Sequence, residues 1–419
     1  MPALSPRSRL VRAGAVLAIG AMALTACSSS SKPKASGTPA PTSNANGKPI
    51  LIGTIQDLTG PVTGLMKGAR QAMEAYVAMV NSEGGIGGRP LQLVTADSKI
   101  DCNATRAAYN DLAPKVEAFV GSVSVIDGCA ADVLQKWPKL PAVFQQLDPS
   151  LANIATVLTA APNPSGQSVG GLKWISGKNP GAIQHIGILV NKRAAFAAHE
   201  MRAGLEAIGG HVSFTEDVST EVQTDFTAEV IKMKSAGVQW VSIDSFQLEA
   251  VARFLDNAKQ QNWHPKVITA ATAYDGNFFS VADPAAAEGV YLPQHFALFL
   301  GEDRKTSKGV DSYLTWLQKV HPGAKPDLFG AYAWANAMLY TQARNAAGGA
   351  NATGEQVVKA LINTKKFDAD GLISESDPGD QKAATCYLVA QIKGGKYVRL
   401  FPDSGYSCDG AQYVPYTGS

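Results

Sequence analysis

Gly166-Gln-Ser168-Val-Gly170 matches G-x-S-x-G, the spacing that sets a serine nucleophile on a sharp turn between a strand and a helix. Acyl transfer at that serine would need an acid and a histidine downstream. His185, His199, His211, His264, His295 and His321 offer no paired signature, and Asn163-Pro-Ser165 separates Ser168 from the apolar run before it. A glycine-flanked helix start over Gly166 to Ser176 is therefore the better reading, and a secreted serine hydrolase using Ser168 is the alternative. The histidines also lack i, i+4 spacing, which leaves no case for zinc. The glycines of Gly84-Gly85-Ile-Gly-Gly88 follow a helical stretch instead of a strand, so they fit neither a phosphate loop nor a dinucleotide fingerprint. No cofactor and no metal is expected.

The chain has five cysteines. Cys27 closes a segment in which Arg7, Arg9 and Arg12 precede an apolar run, Ala13 to Ala26, too short to span a bilayer comfortably. Leu24-Thr-Ala-Cys27 looks like a bacterial lipobox, which implies a signal peptide over 1–26, cleavage before Cys27 and lipidation of its thiol. After Cys27, residues 28–48 are Ser, Pro, Ala, Thr, Gly, Asn and Lys with almost nothing to bury, so 27–48 reads as a disordered tether. The remaining four cysteines are an even number in an oxidising compartment. Chain order alone allows three pairings. Cys102 with Cys129 and Cys386 with Cys408 are expected, because each pair lies within one local unit. Loss of residues 1–26 removes three arginines and no acid, taking the net charge from +2 to −1, which gives no basic face for nucleic acid.

Alternation of apolar runs with helical spacing supplies the frame. Ile50 to Ile55 reads as a strand buried on both faces. Met66, Ala69, Ala72, Met73, Tyr76, Val77 and Val80 follow at helical spacing, and Leu91 begins the next strand, completing a βαβ unit. Further runs at Val116 to Val123, Pro141 to Phe144 and Thr156 to Thr159 continue it. From Ser165 the pattern restarts, with strands at His185 to Val190, His211 to Phe214, Val238 to Ile243 and Lys266 to Ala271. The fold class is α/β, with two doubly wound Rossmann-like lobes. The C-terminal part, with Gly289 to Leu292 as a strand, three helical stretches and a hairpin turned at Gly394-Gly395, is too short for a third lobe and returns to complete the first two. Lobe 1 is expected over 49–160 plus about 294–375, and lobe 2 over 161–293 plus about 376–419. Several crossings between lobes make a hinge around a cleft.

This order of pieces resembles the type I periplasmic binding protein fold and, within it, the leucine/isoleucine/valine-binding family of ABC-transporter receptors. The residues that carry the resemblance are Leu58-Thr-Gly-Pro61, Asn81-Ser-Glu-Gly-Gly-Ile-Gly-Gly88, Asp97, Phe119-Val-Gly-Ser122, Ile188-Leu-Val-Asn191 and Ala287-Glu-Gly-Val290. The resemblance implies a Venus-flytrap receptor that holds a small molecule between its lobes, beyond the carboxyl ends of the strands. It implies an ABC permease as partner, an outer-face membrane location through the lipid on Cys27, a monomer and no catalytic step. A ligand-sensing subunit without transport is a further alternative.

Carried over by position, the first site loop falls on Ser122 to Asp127. A ligand carboxylate would use Ser122, Ser124 or backbone donors, since Val125 stands where the family has serine. Ser122 and Ser124 could equally bond nearby backbone, and Asp127 could cap a helix. The second loop falls on Gln145 and Gln146. The lobe-two rings fall on Phe196 and Phe246, with Tyr274 in a similar loop. The glutamate that holds an α-ammonium falls close to Ala271, so an amino-acid ligand would need Asp244 or Asp275 instead. Asp57 follows the first strand and is either a cleft residue or an ordinary turn former. Tyr332 and Trp334 lie on an apolar helix and are assigned to core packing. The ligand set suits a small polar or amphipathic molecule: amino-acid-like, amide or similar.

Overall fold

The computed structural model describes residues 46–59, 66–220, 222–244, 246–269 and 271–418. Cys27 and the signal and tether segments before residue 46 lie outside the described residues, as do Gly60 and Pro61. β1 (Ile50–Gln56), α1 (Lys67–Ser82) and β2 (Leu91–Asp97) form the opening βαβ unit. The helix buries Ala69, Ala72, Met73, Tyr76 and Val80 along one stripe, as the spacing predicts. Gly84, Gly85, Gly87 and Gly88 all take positive φ, which explains why glycine ends this helix and no side-chain-bearing residue does. α2 (Cys102–Leu112), β3 (Ala118–Val120), α3 (Ala131–Leu134), β4 (Ala142–Val143) and β5 (Val157–Leu158) follow. These five strands form one parallel sheet in the order β2-β1-β3-β4-β5.

The second half begins differently from expectation. Gly166 to Ser168 is a short strand, β6 (Gly166–Ser168), and helix α4 starts only at Gly170 (Gly170–Lys178). The reason is long-range: β6 pairs antiparallel with the last strand of the chain, which sequence periodicity cannot show. Then come β7 (Ile186–Asn191), α5 (Ala195–Ala207), β8 (Val212–Val218), α6 (Thr227–Ser235), β9 (Trp240–Ser242), α7 (Leu248–Gln260), β10 (Lys266–Ile268), α8 (Phe278–Val281) and β11 (Tyr291–Gln294). Three helices, α9 (Lys308–Val320), α10 (Leu328–Ala346) and α11 (Gly354–Ile362), precede the hairpin β12 (Leu388–Lys393) and β13 (Lys396–Phe401), and β14 (Tyr413–Pro415) ends the fold. The hairpin turns at Gly394 and Gly395, both at positive φ, as read from the sequence.

The second sheet runs β13-β12-β11-β10-β9-β7-β8. Its five parallel strands, β8-β7-β9-β10-β11, repeat the winding of the first sheet, and β12 and β13 extend it antiparallel. The chain thus builds two doubly wound lobes of the type I periplasmic binding protein fold. Helices α9 and α10 return to pack on α1, and α10 also lies against β3 and β4. Asp327 caps α10 through the Gly330 N–H at 2.6 Å. Trp334 of α10 is fully buried, edge-on to Tyr76 with centroids 5.0 Å apart, and burial of a side chain that size is worth about 2–3 kcal/mol.

The chain passes between the sheets at residues 160–166, 294–297 and 373–387. These segments are tied to one another. The Ser376 hydroxyl donates to the Ala160 carbonyl at 2.6 Å, Ser374 N–H to the His295 carbonyl at 2.8 Å, and Tyr416 N–H to the Ser165 carbonyl at 3.1 Å. Both expected disulfides are present, Cys102 with Cys129 and Cys386 with Cys408. The first fastens the start of α2 to the loop after β3, and the second fastens the approach to β12 to the C-terminal strap that reaches β6.

Candidate functional site

In an open parallel sheet, neighbouring loops diverge at the point where strand order reverses, and a crevice opens there beyond the carboxyl ends. The order 2-1-3-4-5 puts that point between β1 and β3 in the first sheet, and the same winding puts it between β7 and β9 in the second. The loops in question are Asp57 to Thr59 with Ser122 to Asp127, and Asn191 to Phe196 with Ile243 to Asp244. The sequence-derived candidates cluster at these ends, but the two rims use them differently.

On the first rim, Asp57 is 1% exposed and is a hub. It accepts from the Ser124 hydroxyl at 2.6 Å, the Val125 N–H at 2.8 Å and the Ser98 hydroxyl. Ser122 accepts from the Ile55 N–H at 2.9 Å. Gln146 donates to the Val157 carbonyl at 3.0 Å, and Gln145 accepts from the Thr159 hydroxyl at 3.3 Å. Asp127 accepts from the Leu147 N–H at 2.8 Å, bracing the loop after β3 against the loop after β4. Burial pushes the Asp127 carboxyl up to about 8, because the charged form has lost its water. Ser122 and Ser124 thus bond across the rim to residues 67 positions away in the chain, and Asp127 braces loops instead of capping a helix.

On the second rim, Phe196 stands at the start of α5, just past the end of β7, with 37% of its surface exposed. Phe246 is 0% exposed and packs on Phe226 at 5.9 Å, so that ring belongs to the core in this conformation. Tyr274 is also fully buried. Its hydroxyl donates to Glu302 at 2.5 Å and accepts from the Leu300 N–H at 3.0 Å, tying the loop after β10 to the second crossing. Asp275 folds back to accept the Asn277 N–H at 2.5 Å, an Asx turn at the entry to α8.

Asp244 is half-buried, and its charge reaches two neighbours. It helps to raise the Glu200 carboxyl, whose main perturbation is burial, and it adds to the burial that raises the Tyr332 hydroxyl. Tyr332 sits on α10 in lobe 1, half-buried, with its ring edge-on to Phe296 at 4.8 Å. Asp244 follows β9, at the switch point of its own sheet. Core packing, the sequence assignment, holds for Trp334, and Tyr332 packs its ring on Phe296. Glu200, 4% exposed, accepts from the Ser165 hydroxyl at 2.9 Å and the Gly166 N–H at 3.0 Å and so anchors the first crossing beside Asp244.

Gln294, which ends β11 at the carboxyl edge of the second parallel sheet, was not singled out from the sequence. The available signal for Gln294 was slight: a carboxamide ending the apolar run Val290-Tyr-Leu-Pro293. Ser168, by contrast, donates to the Thr385 carbonyl at 3.4 Å from a strand residue whose φ is not positive, which is not the strained turn that presents a nucleophile. A separate cavity of about 300 Å³ lies beside Cys386–Cys408, lined by Asp303, Asp368, Ser374, Glu375 and Tyr406. Its acids are in use: Asp303 pairs with Arg399, Glu375 with Lys366 at 3.4 Å, and Asp368 accepts the Asp370 N–H at 3.0 Å.

Comparison with known proteins agrees with this architecture. The family model described as "Periplasmic binding protein" matches residues 49–396. No curated protein sequence matches the chain significantly. Among solved structures, a fatty acid ABC transporter substrate-binding protein from Thermomonospora curvata superposes with a TM-score of 0.72 at 18% identity, covering 89% of this chain and 96% of the other. A solute-binding protein of an R. palustris ABC transporter in complex with benzoate gives 0.71 at 16% identity, covering 88% and 98%. A branched-chain amino acid transporter substrate-binding protein from Streptococcus pneumoniae, in complex with isoleucine, gives 0.69 at 17% identity, covering 84% and 100%. With its two doubly wound lobes, three tied crossings and paired rims, the chain belongs to the periplasmic binding protein family.

Proposed function

We propose that the protein is the extracytoplasmic substrate-binding lipoprotein of an ABC importer, anchored through Cys27, which takes a small polar or amphipathic molecule between lobe 1 (49–160 plus about 294–375) and lobe 2 (161–293 plus about 376–419). The observation that carries the reading is the pair of switch points, between β1 and β3 and between β7 and β9, in two sheets that the chain joins by three crossings, together with the family match over residues 49–396. A molecule lodged there touches both lobes only when they are closed, so it stabilises the closed form, the form a permease can distinguish. The structural neighbours are described as binding isoleucine and benzoate and as transporting fatty acids, a range that fits one scaffold with rims changed to suit each ligand.

The ammonium-binding acid missing near Ala271 is replaced from a different strand. Asp275, the nearer candidate, is committed to its turn with Asn277. Asp244, which follows β9 at the second switch point, is the acid we assign to a ligand cation, with Phe196 as an exposed aromatic wall nearby in the chain order of the rim. No catalytic step is part of this function.

A thermal-shift screen over amino acids, amides, ureas, small peptides and aromatic acids tests it. At least one class should raise the melting temperature, and Asp244→Ala should weaken that ligand at least tenfold while Ser168→Ala leaves it unchanged. No stabilisation by any class, or unchanged affinity in Asp244→Ala, would overturn the assignment. Anchoring is tested separately: Cys27→Ser should release the protein from the membrane fraction.

A further inference from the structure

Gln294 is 6% exposed, yet neither its Oε1 nor its Nε2 has a hydrogen-bond partner among the described residues. It is the only side chain among the described residues with two such buried atoms. Gln56, another buried carboxamide, has one such atom, its Oε1, while its Nε2 donates to the Thr54 hydroxyl at 3.2 Å and to the Gly121 carbonyl at 3.5 Å. Buried amide groups are paired in the great majority of native structures, since an unmade hydrogen bond there forfeits the whole solvation of the group. Two orphans on one carboxamide thus mark a place where something outside the fold's own bonding is received.

The position of Gln294 says where it is received. It is the last residue of β11, at the carboxyl end of the parallel sheet, opposite Leu388 of β12. Alternation along the strand puts Gln294 on the face of Leu292, and Phe296, two residues on, continues that face into the same core cluster. Phe296 in turn meets the ring of Tyr332, which stands on α10 of lobe 1. Gln294 therefore belongs to the hinge-side floor of the interlobe site, where the second crossing leaves the sheet.

We propose that Gln294 is the specificity-determining residue of the site and selects ligands bearing a primary carboxamide. This rests on the receptor reading above. A carboxamide presents one acceptor and two donors on a planar head, so it can take an N–H from Nε2 and give one to Oε1 in a closed pair of hydrogen bonds. A carboxylate has acceptors only and leaves Oε1 buried without a donor. An ammonium has donors only and leaves Nε2 without an acceptor. Sites that hold buried polar groups reject ligands that leave those groups unpaired, and they do so more strongly than apolar pockets reject a change of size.

The test compares matched heads by calorimetry on the wild-type protein, Gln294→Leu and Gln294→Met, using benzamide against benzoate and leucinamide against leucine. The carboxamide of at least one pair should bind wild type at least tenfold tighter than its carboxylate, and both variants should bring that ratio close to one. The melting temperature of the unliganded variants should stay the same or rise, because the atoms removed had no partner among the described residues. Equal binding of the two heads by wild type, or a ratio preserved in both variants, overturns the proposal and leaves the receptor reading standing. A melting temperature lowered in both variants with the ratio preserved identifies a structural role and also overturns it. If no compound of the broad screen binds wild type, the receptor reading falls, and this one with it.

Discussion

At the rim of the first sheet, one carboxylate, Asp57, gathers two serine hydroxyls and a backbone N–H, and Ser122, Gln145 and Gln146 find partners within the same lobe. At the rim of the second sheet, Phe196 is exposed, and the Gln294 side chain has no hydrogen-bond partner among the described residues. The strand winding is the same in both sheets, so topology does not explain the contrast. Its origin is the side chains chosen for equivalent loops. A rim that satisfies itself is rigid and can be a wall, whereas a rim with unspent groups gains most from a ligand. The same scaffold can therefore change ligand by altering one rim while the other continues to hold the shape.

The largest effect that could break this contrast is expected from Asp57→Ala, which strips the acceptor from two buried hydroxyls and the Val125 N–H in one step. It should cost about 3–5 kcal/mol in urea unfolding, since each donor left unpaired costs about 1–3 kcal/mol. A cost below about 1 kcal/mol would mean that the first rim is not held from within. Next comes Tyr274→Phe, which removes the bond to Glu302 and the acceptor for Leu300. Here about 1.5–3 kcal/mol is expected, and a neutral result would return Tyr274 to the list of ligand-facing groups.

Asp127 sharpens the comparison through pH. Its folded carboxyl is pushed up to about 8 by burial, while an unfolded carboxyl titrates near the ordinary value of about 4. The folded state thus holds a proton that the unfolded state has released. Stability from this group is full at low pH and is lost as pH rises through that window toward 8, by at most about 1.4 kcal/mol per pH unit. Asp127→Asn should remove that part of the slope between pH 5.5 and 8.5, measured as unfolding free energy, and an unchanged slope would assign the pH dependence to other groups. The smallest stability effect belongs to Phe196→Ala. Exposed and outside the core, it should shift unfolding by less than about 0.5 kcal/mol. It should nevertheless weaken whichever compound the thermal screen identifies, and unchanged affinity would take that ring out of the site.

Much of the fold could be read in advance because its signals are local. Glycines 84 to 88 ended α1, Gly394 and Gly395 turned the hairpin, and the helical stripe of α1 is the one that packs. The misreading at Gly166 to Ser168 shows the limit: three residues in a helix-like setting became a strand because β14, more than 240 residues on, lies beside them. The candidate site was legible as a set of loops but not as a set of contacts. Phe196 and Phe246 looked equivalent, each a phenylalanine shortly after an apolar strand, and only packing against Phe226 separates the buried ring from the exposed one.

By itself the sequence determined the α/β alternation and the repeat of one winding in two lobes, and it pointed to the local disulfide pairs and to the loops proposed to carry ligand chemistry. All of these depend on periodicity, turn residues and short separations along the chain. Only the tertiary structure decided which polar groups are spent and which are left. Asp57 finds Ser98 and Ser124 at separations of 41 and 67 residues, and Ala160 finds Ser376 at 216. The Gln294 side chain finds no partner among the described residues. A hydrogen bond depends on which strands become neighbours, and that is set by the packing of the whole chain, beyond the reach of any single stretch of it.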